Sequence, residues 1–217
     1  FNNELNTIKS NNYEEDVLRN TSSVTFSAVR KTEDRIGGEL LIRQTLDGKK
    51  ILIPDFSAGI EYRLINSMEQ FLLMNISRNS KIPSLNDLNW FPGGNPDLKN
   101  EYSWSGEIGY KGSFRISDRI EAGTDCNIFS NYIRDMIQWR PVEGSSFWIT
   151  DNIRSVNTSG IEANIHAAFK SDGLNVNMTA GYAYTKATDR APDLIEKQLI
   201  YVPANMLNGS LLIGYKN

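Results

Sequence analysis

Between Trp104 and Tyr110 the chain alternates strictly: Trp104, Gly106, Ile108 and Tyr110 occupy one parity, and Ser105, Glu107 and Gly109 the other. A two-residue period belongs to a β-strand lying between unlike environments, because successive side chains leave a pleated chain on opposite faces. The same period recurs in Val24/Phe26/Ala28, Ile36/Gly38/Leu40/Ile42, Phe56/Ala58/Ile60/Tyr62/Leu64, Ile161/Ala163/Ile165/Ala167 and Leu174/Val176/Met178/Ala180/Tyr182/Tyr184. Eleven segments carry it, near residues 1–8, 19–31, 36–46, 54–65, 69–78, 102–112, 118–138, 152–169, 174–187, 197–203 and 207–217, and no convincing helix stands among them. The expected class is all-β.

What lies opposite the apolar parity narrows the choice. Thr25/Ser27, Glu39/Arg43, Glu61/Arg63, Arg119/Glu121/Asp125, Glu162/Asn164/His166 and Asn175/Asn177/Thr179 are too polar for a dry core but suit a water-facing wall. Mean hydropathy is −0.41, which reads as soluble. A transmembrane barrel yields the same average, since each spanning strand needs only about 9–11 residues and half of them face the lumen. A β-sandwich with its apolar parity turned inward also alternates, so the decision passes to the connections.

Those connections alternate in length. Lys31–Arg35, Ile65–Met68, Lys111–Ser117, Lys170–Gly173 and Pro203–Met206 read as tight turns, whereas Lys9–Leu18, Leu46–Ile53, Arg78–Asn100, Arg140–Ile149 and Lys186–Glu196 read as longer polar loops. In an antiparallel up-and-down meander, alternate connections share a rim. Short turns on one rim and long loops on the other are the pattern of outer-membrane barrels. Trp104, Trp139, Trp148, Tyr110, Tyr132, Tyr182, Tyr184, Phe56 and Tyr201 lie mostly toward strand ends, where aromatic girdles would meet headgroups.

Charge and motif content argue against other functions. The formal net charge is −3, and no basic patch is interleaved with aromatics, so nucleic acid is not an expected partner. The single cysteine, Cys126, permits neither an internal disulfide nor a CxxC site, and reads as a small apolar residue. His166 is the sole histidine and lies on the wet parity, far from any nucleophile motif. Glu107 and Glu121 could flank a glycosidic bond, yet Arg63 and Arg119 make them part of a charged wall. Asp87, Asn89, Asn95 and Asp97 lack EF-hand spacing and suit turns around Pro92-Gly93-Gly94. The sequons at Asn75, Asn157, Asn177 and Asn208 follow from polar-face periodicity. No catalytic residue, cofactor or metal is expected.

The run IPSLNDLNWFPGGNPDLKNEYSWSGEIGY, from Ile82 to Tyr110, resembles the distal barrel of TonB-dependent outer-membrane receptors. The likeness continues through Asn131–Trp139, Val156–Glu162, Tyr182–Thr185 and Tyr201–Asn205 in the family's order, with Asn100 where a proline is usual and Ser159 where a basic residue is common. The resemblance implies a partial barrel over residues 1–217, lacking the family's plug domain and remaining strands, so the chain is expected to be an internal piece of a longer polypeptide. It further implies the Gram-negative outer membrane, contact with its lipid, coupling to the TonB complex through the absent N-terminal region, and import of a metal chelate such as cobalamin or a ferric siderophore. Modest loop lengths favour cobalamin. Trp90 and Phe91, beside the turn residues of the longest loop, are the first candidates for ligand contact, with Phe147 and Trp148 next. The same rings could simply pack their own loops. A non-transport extracellular β-sandwich used for binding or adhesion stays open at this point.

Overall fold

The computed structural model describes residues 1–9, 12–13, 16–31, 35–65, 69–189, 198–199 and 202–215. They form one antiparallel sheet of eleven strands: β1 (Asn2–Ile8), β2 (Val17–Arg30), β3 (Ile36–Asp47), β4 (Lys50–Ile51), β5 (Asp55–Arg63), β6 (Gln70–Lys81), β7 (Glu101–Ser117), β8 (Ile120–Pro141), β9 (Trp148–Ser171), β10 (Leu174–Asp189) and β11 (Asn205–Tyr215). Sequential strands neighbour one another throughout, with β4 a two-residue stub folded back on β3. The architecture is therefore an all-β meander. A sandwich needs a second sheet, and the described strands all belong to one.

Register turns the sequence parity into two continuous faces. Tyr62 pairs with Leu72, Leu72 with Tyr110, Tyr110 with Cys126, Cys126 with Ala163, Ala163 with Tyr182 and Tyr182 with Leu207, a single apolar row across seven strands. Next to it on the other face run Glu61, Leu73, Gly109, Asn127, Glu162 and Ala183. Phe26, Ile60, Ile108, Ile128 and Leu211 leave 57–64% of their surface open. An uncovered apolar face of this extent marks a surface that meets a partner or a membrane. In β7 the outward Trp104 and Phe114 stand ten residues apart. That separation is about 33 Å along the strand, or roughly 25 Å vertically at a tilt near 40°, the height of a barrel's apolar band.

The polar face carries its own internal contacts. Asn164 donates to Asp125 at 2.8 Å. The guanidinium of Arg63 lies over the Phe71 ring at 5.2 Å. A Cβ on Gly123 would fall 2.1 Å from the imidazole of its register partner His166, so that ring covers the bare backbone of the neighbouring strand. Glu107 and Glu121 do not converge: Glu121 opposes Arg115, eight residues along β7 from Glu107 and about 26 Å away at strand rise.

The expected rims exist, with corrections. Connections after β1, β3 (to β5, by way of β4), β6 and β10 are the longer ones and those after β2, β7 and β9 the shorter ones, while those after β5 and β8 are equal in length. The turn placed at Lys111–Ser117 lies instead at Asp118-Arg119, because Phe114 and Ile116 sustain the alternation beyond Gly112. The turn after β9 is the two-residue Asp172-Gly173, with Gly173 at φ 82, a conformation that suits glycine. The strand expected at 197–203 is not formed by its described residues. Gln198 pairs with Thr188 in an isolated bridge outside the named strands, and β11 pairs directly with β10. One strand fewer reverses the direction expected for the last strand. Residues 197, 200 and 201 of that segment, including Tyr201, lie outside the described residues, as do 32–34 and 66–68 of two expected turns.

One short helix accompanies the strands. Leu85–Asn89 forms a five-residue α1 inside the longest loop. Ser84 caps it, accepting from the Asp87 backbone N–H at 3.1 Å while its own N–H donates to Asp87 Oδ2 at 2.8 Å. This reciprocal pair satisfies two donors that a helix start otherwise leaves orphaned. Five residues are too few to display a helical period.

Candidate functional site

The loop between β6 and β7 does not project freely; it folds back over the polar-parity side of β8 and β9 at the long-loop rim. Asp87 is the hub. Its Oδ1 accepts from Trp139 Nε1 at 2.9 Å, and its main-chain carbonyl accepts from Thr150 Oγ1 at 2.7 Å and from the Asn95 N–H at 2.8 Å. Thr150 also donates its N–H and its hydroxyl to the Gly93 carbonyl at 2.8 and 3.1 Å. Farther along, the Lys99 N–H donates to Asn152 Oδ1 at 2.8 Å, and Asn152 Nδ2 donates back to the Lys99 carbonyl at 3.1 Å and to the Asp135 carbonyl at 2.7 Å. Glu101 closes the series by accepting from the Ile137 N–H at 2.6 Å.

Trp139, Ile137, Asn152 and Thr150 belong to the parity that is polar lower in the sheet. Leu85 and Asp87 of the loop are buried, as are Ile137 on β8 and Thr150 on β9. A loop of this length with its own buried side chains behaves as a packed shelf. Gly93 is the tightest point. A Cβ there would stand 1.9 Å from the Trp148 carbonyl oxygen, a backbone atom that cannot swing aside.

The shelf reaches the other end of the sheet as well. Tyr13 donates its hydroxyl to Asn86 Oδ1, the Phe91 N–H donates to the Asn12 carbonyl at 2.7 Å, and Arg19 donates to the Pro83 carbonyl at 2.6 Å. Residues 82–100 therefore tie the β1–β2 end to β8–β9, across the intervening strands β3 to β7.

Trp90 and Phe91 sit at the edge of the shelf nearest β2, 38% and 62% exposed. With Val17, Leu18, Leu88, Pro92 and Pro96 they border an open cavity of about 560 Å³. An adjoining cleft of about 380 Å³ continues along Val17–Asn20 and Leu85–Asn89. Phe147 and Trp148 lie on the β9 side of the shelf, 41% and 46% exposed, with Trp148 the first residue of β9 and its carbonyl against Gly93. The two aromatic pairs thus flank one structure, joined through the turn in which Trp90 accepts from the Gly93 and Gly94 N–H groups. Asn89, Asn95 and Asp97 are occupied by turn contacts: Asn89 donates to the Leu85 carbonyl at 2.9 Å, and Asn95 Oδ1 accepts from the Asp97 N–H at 3.0 Å. Among the described residues, no group of three or more acidic, histidine or cysteine side chains is arranged to hold a metal.

Asp87, Trp139, Thr150 and Asn152 were not singled out together by sequence reasoning. The spacing Ser84-x-x-Asp87 signals a helix start, but nothing local points from Asp87 to Trp139.

A family model described as TonB dependent receptor-like, beta-barrel matches residues 54–217. Over 100 residues, 46% of this chain, the sequence is 36% identical to the vitamin B12 transporter BtuB of Vibrio vulnificus (strain YJ016), and the matched stretch spans 15% of that relative. Two solved structures share the fold. The copper transporter OprC matches 92% of this chain and 33% of its own, with a TM-score of 0.66 and 14% identity. The siderophore receptor PirA from Pseudomonas aeruginosa matches 96% of this chain and 49% of its own, with a TM-score of 0.61 and 15% identity.

Proposed function

The chain belongs to the TonB-dependent receptor-like β-barrel family, and from that membership we propose that residues 1–217 form one continuous part of the wall of an outer-membrane receptor that captures and imports a bulky nutrient. The observation that carries this reading is the pairing of an uncovered apolar face with a polar face crossed by the shelf at one rim. The apolar face then contacts outer-membrane lipid. The polar face lines a lumen that holds the plug domain, as in the plugged 22-stranded transporters, and the shelf stands over the mouth on the side of the long loops.

In this reading the protein makes and breaks no covalent bond. Ligand binds at the long-loop rim, with Trp90 and Phe91 as first contacts and Phe147 and Trp148 as second. Transport follows when the TonB complex, reached through the region N-terminal to this chain, acts on the plug. The leading ligand is cobalamin: the relative at 36% identity is named for vitamin B12 transport. A ferric siderophore is the second choice, because the siderophore and copper proteins resemble the chain at 14–15% identity, a level that supports fold alone.

The test uses the full-length protein in its own membrane. Extraction should require detergent, and uptake of radiolabelled cyanocobalamin by whole cells should stop when the proton-motive force is collapsed. Recovery in the aqueous fraction without detergent would sink the receptor reading.

A further inference from the structure

Register divides the charges of the strands unequally between the two faces. The apolar parity carries the cations Arg30, Arg78, Arg134, Arg140 and Lys186 and, among the described residues, one acid, Asp151. All but Arg30 stand toward the long-loop rim. Two of these cations are committed: Arg78 is 8% exposed and donates to the Pro54 carbonyl at 2.9 Å, and Arg140 pairs with Asp151 at 2.6 Å. Arg134 and Lys186 are exposed. Arg134 bonds the Asp135 carboxylate through Nε at 3.3 Å, leaving its two terminal nitrogens without a hydrogen bond among the described residues. The Lys186 ammonium has no partner among them.

These two cations flank β9. Arg134 opposes Ser155 and Lys186 opposes Ser159, with Asn157 between them on the same outward parity. Four residues of rise and two strand spacings put their backbones about 16 Å apart. Ser130, the register partner of Ser159 on β8, adds a further hydroxyl. One or a few outward positions nearer the short-turn rim, all three strands become apolar or aromatic: Tyr132 and Ile128 on β8, Ile161 on β9 and Tyr184 on β10, each 36–62% exposed.

We propose that Arg134, Asn157, Ser159 and Lys186 form a site on the outer wall for the phosphate-bearing headgroup of an outer-leaflet lipid, whose acyl chains lie along Ile128 and Ile161. The proposal rests on the apolar face meeting outer-membrane lipid and adds the headgroup chemistry. A guanidinium with both terminal nitrogens open presents the fork that matches a phosphate, and an ammonium supplies a second point charge. Hydroxyl and amide groups between them can donate to the remaining oxygens. Position selects the lipid over a free ion. Long basic side chains lie along apolar surface and hold their charged ends at the polar boundary, which is where the headgroup of a lipid seated on Ile128 and Ile161 must be. Tyr132 and Tyr184, one outward position below the two cations, mark that boundary as aromatic girdles do.

The experiment titrates lipid onto the full-length receptor in detergent micelles and reads the bound fraction by native mass spectrometry. Its probes are lipid A carrying both phosphates and the same lipid stripped of them, with inorganic phosphate as competitor. Its proteins are wild type, Lys186→Gln, the double variant Arg134→Gln/Lys186→Gln and Arg30→Gln, each shown by heat-modifiability to be folded. Wild type should bind the phosphorylated lipid about tenfold or more tightly than the stripped one. Lys186→Gln should lose part of that preference and the double variant nearly all of it, whereas Arg30→Gln, at the short-turn end of the same face, should keep it. Equal binding of the two lipids by wild type, or a preference that survives in the double variant, would overturn the site. Displacement of the lipid by millimolar inorganic phosphate would show a free-phosphate site and overturn the lipid assignment. These failures leave the membrane reading standing, since that reading falls only if the receptor is recovered without detergent.

Discussion

Trp139 donates its indole N–H to the carboxylate of Asp87 at 2.9 Å, joining β8 to a loop 52 positions earlier in the chain. A buried carboxylate that accepts at both oxygens is satisfied, and removing one partner leaves the other uncompensated. Asp87→Ala should therefore release the shelf, at a local cost of about 1.5–3 kcal/mol for each lost bond to an ionised acceptor. The expected outcome in the full-length receptor is a new protease-sensitive site within 82–100 and an unchanged heat-modifiable barrel. Protection equal to wild type would contradict the role of the pair.

Gly93→Ala tests the same shelf from the opposite side. Its methyl group would meet the Trp148 carbonyl at 1.9 Å, so the loop must lift from β9 and surrender the two Thr150 bonds to Gly93. Ligand affinity should fall, because the Trp90 and Phe91 rings lose the support of the backbone beneath them. Hydrogen exchange at Thr150 provides the structural readout, and continued slow exchange there would show that the backbone absorbs the methyl.

The two faces of the wall make unequal demands on a charge. Ile128 is 62% exposed on the apolar face, between Ile108 and Ile161, whereas Asn127 lies on the polar face beside Glu162. Ile128→Arg should destabilise the receptor by roughly 2–4 kcal/mol if it sits near the bilayer midplane, and Asn127→Arg by far less. Denaturant titration of both variants in lipid vesicles measures the difference. Equal costs would invert or abolish the assignment of faces.

Expressed alone, residues 1–217 should require detergent or refolding. Strands β1 and β11 end the sheet order with unpaired edges, and Leu207, Leu211, Leu212 and Ile213 on β11 are each 61–82% exposed. Open edges beside apolar surface template aggregation. A monodisperse detergent-free monomer in sedimentation would overturn this expectation.

The alternation at Leu174–Tyr184 or Trp104–Tyr110 was legible because a strand's period is local, and register then carried each parity across its neighbours up to the bulge between Arg115 and Ser117. Strand ends were less legible. Gly112 resembled a turn residue, yet β7 continues to Ser117 because pairing with β8 recovers what glycine lacks. The segment 197–203 has strand-like composition, but it falls within the long connection between β10 and β11.

Sequence by itself determined the class, the two faces and the contrast between rims, since all three follow from side-chain order along a pleated chain and from the residues that can turn it. Only tertiary structure decided what the longest loop does. Asp87 finds Trp139 and Thr150, Gly93 finds Trp148, and Phe91 finds Asn12 across distances in sequence that no local period encodes. Those contacts form only after the meander has brought β2, β8 and β9 to one rim, so the shelf, and the cleft beside it, depend on long-range packing where the strands depend on alternation.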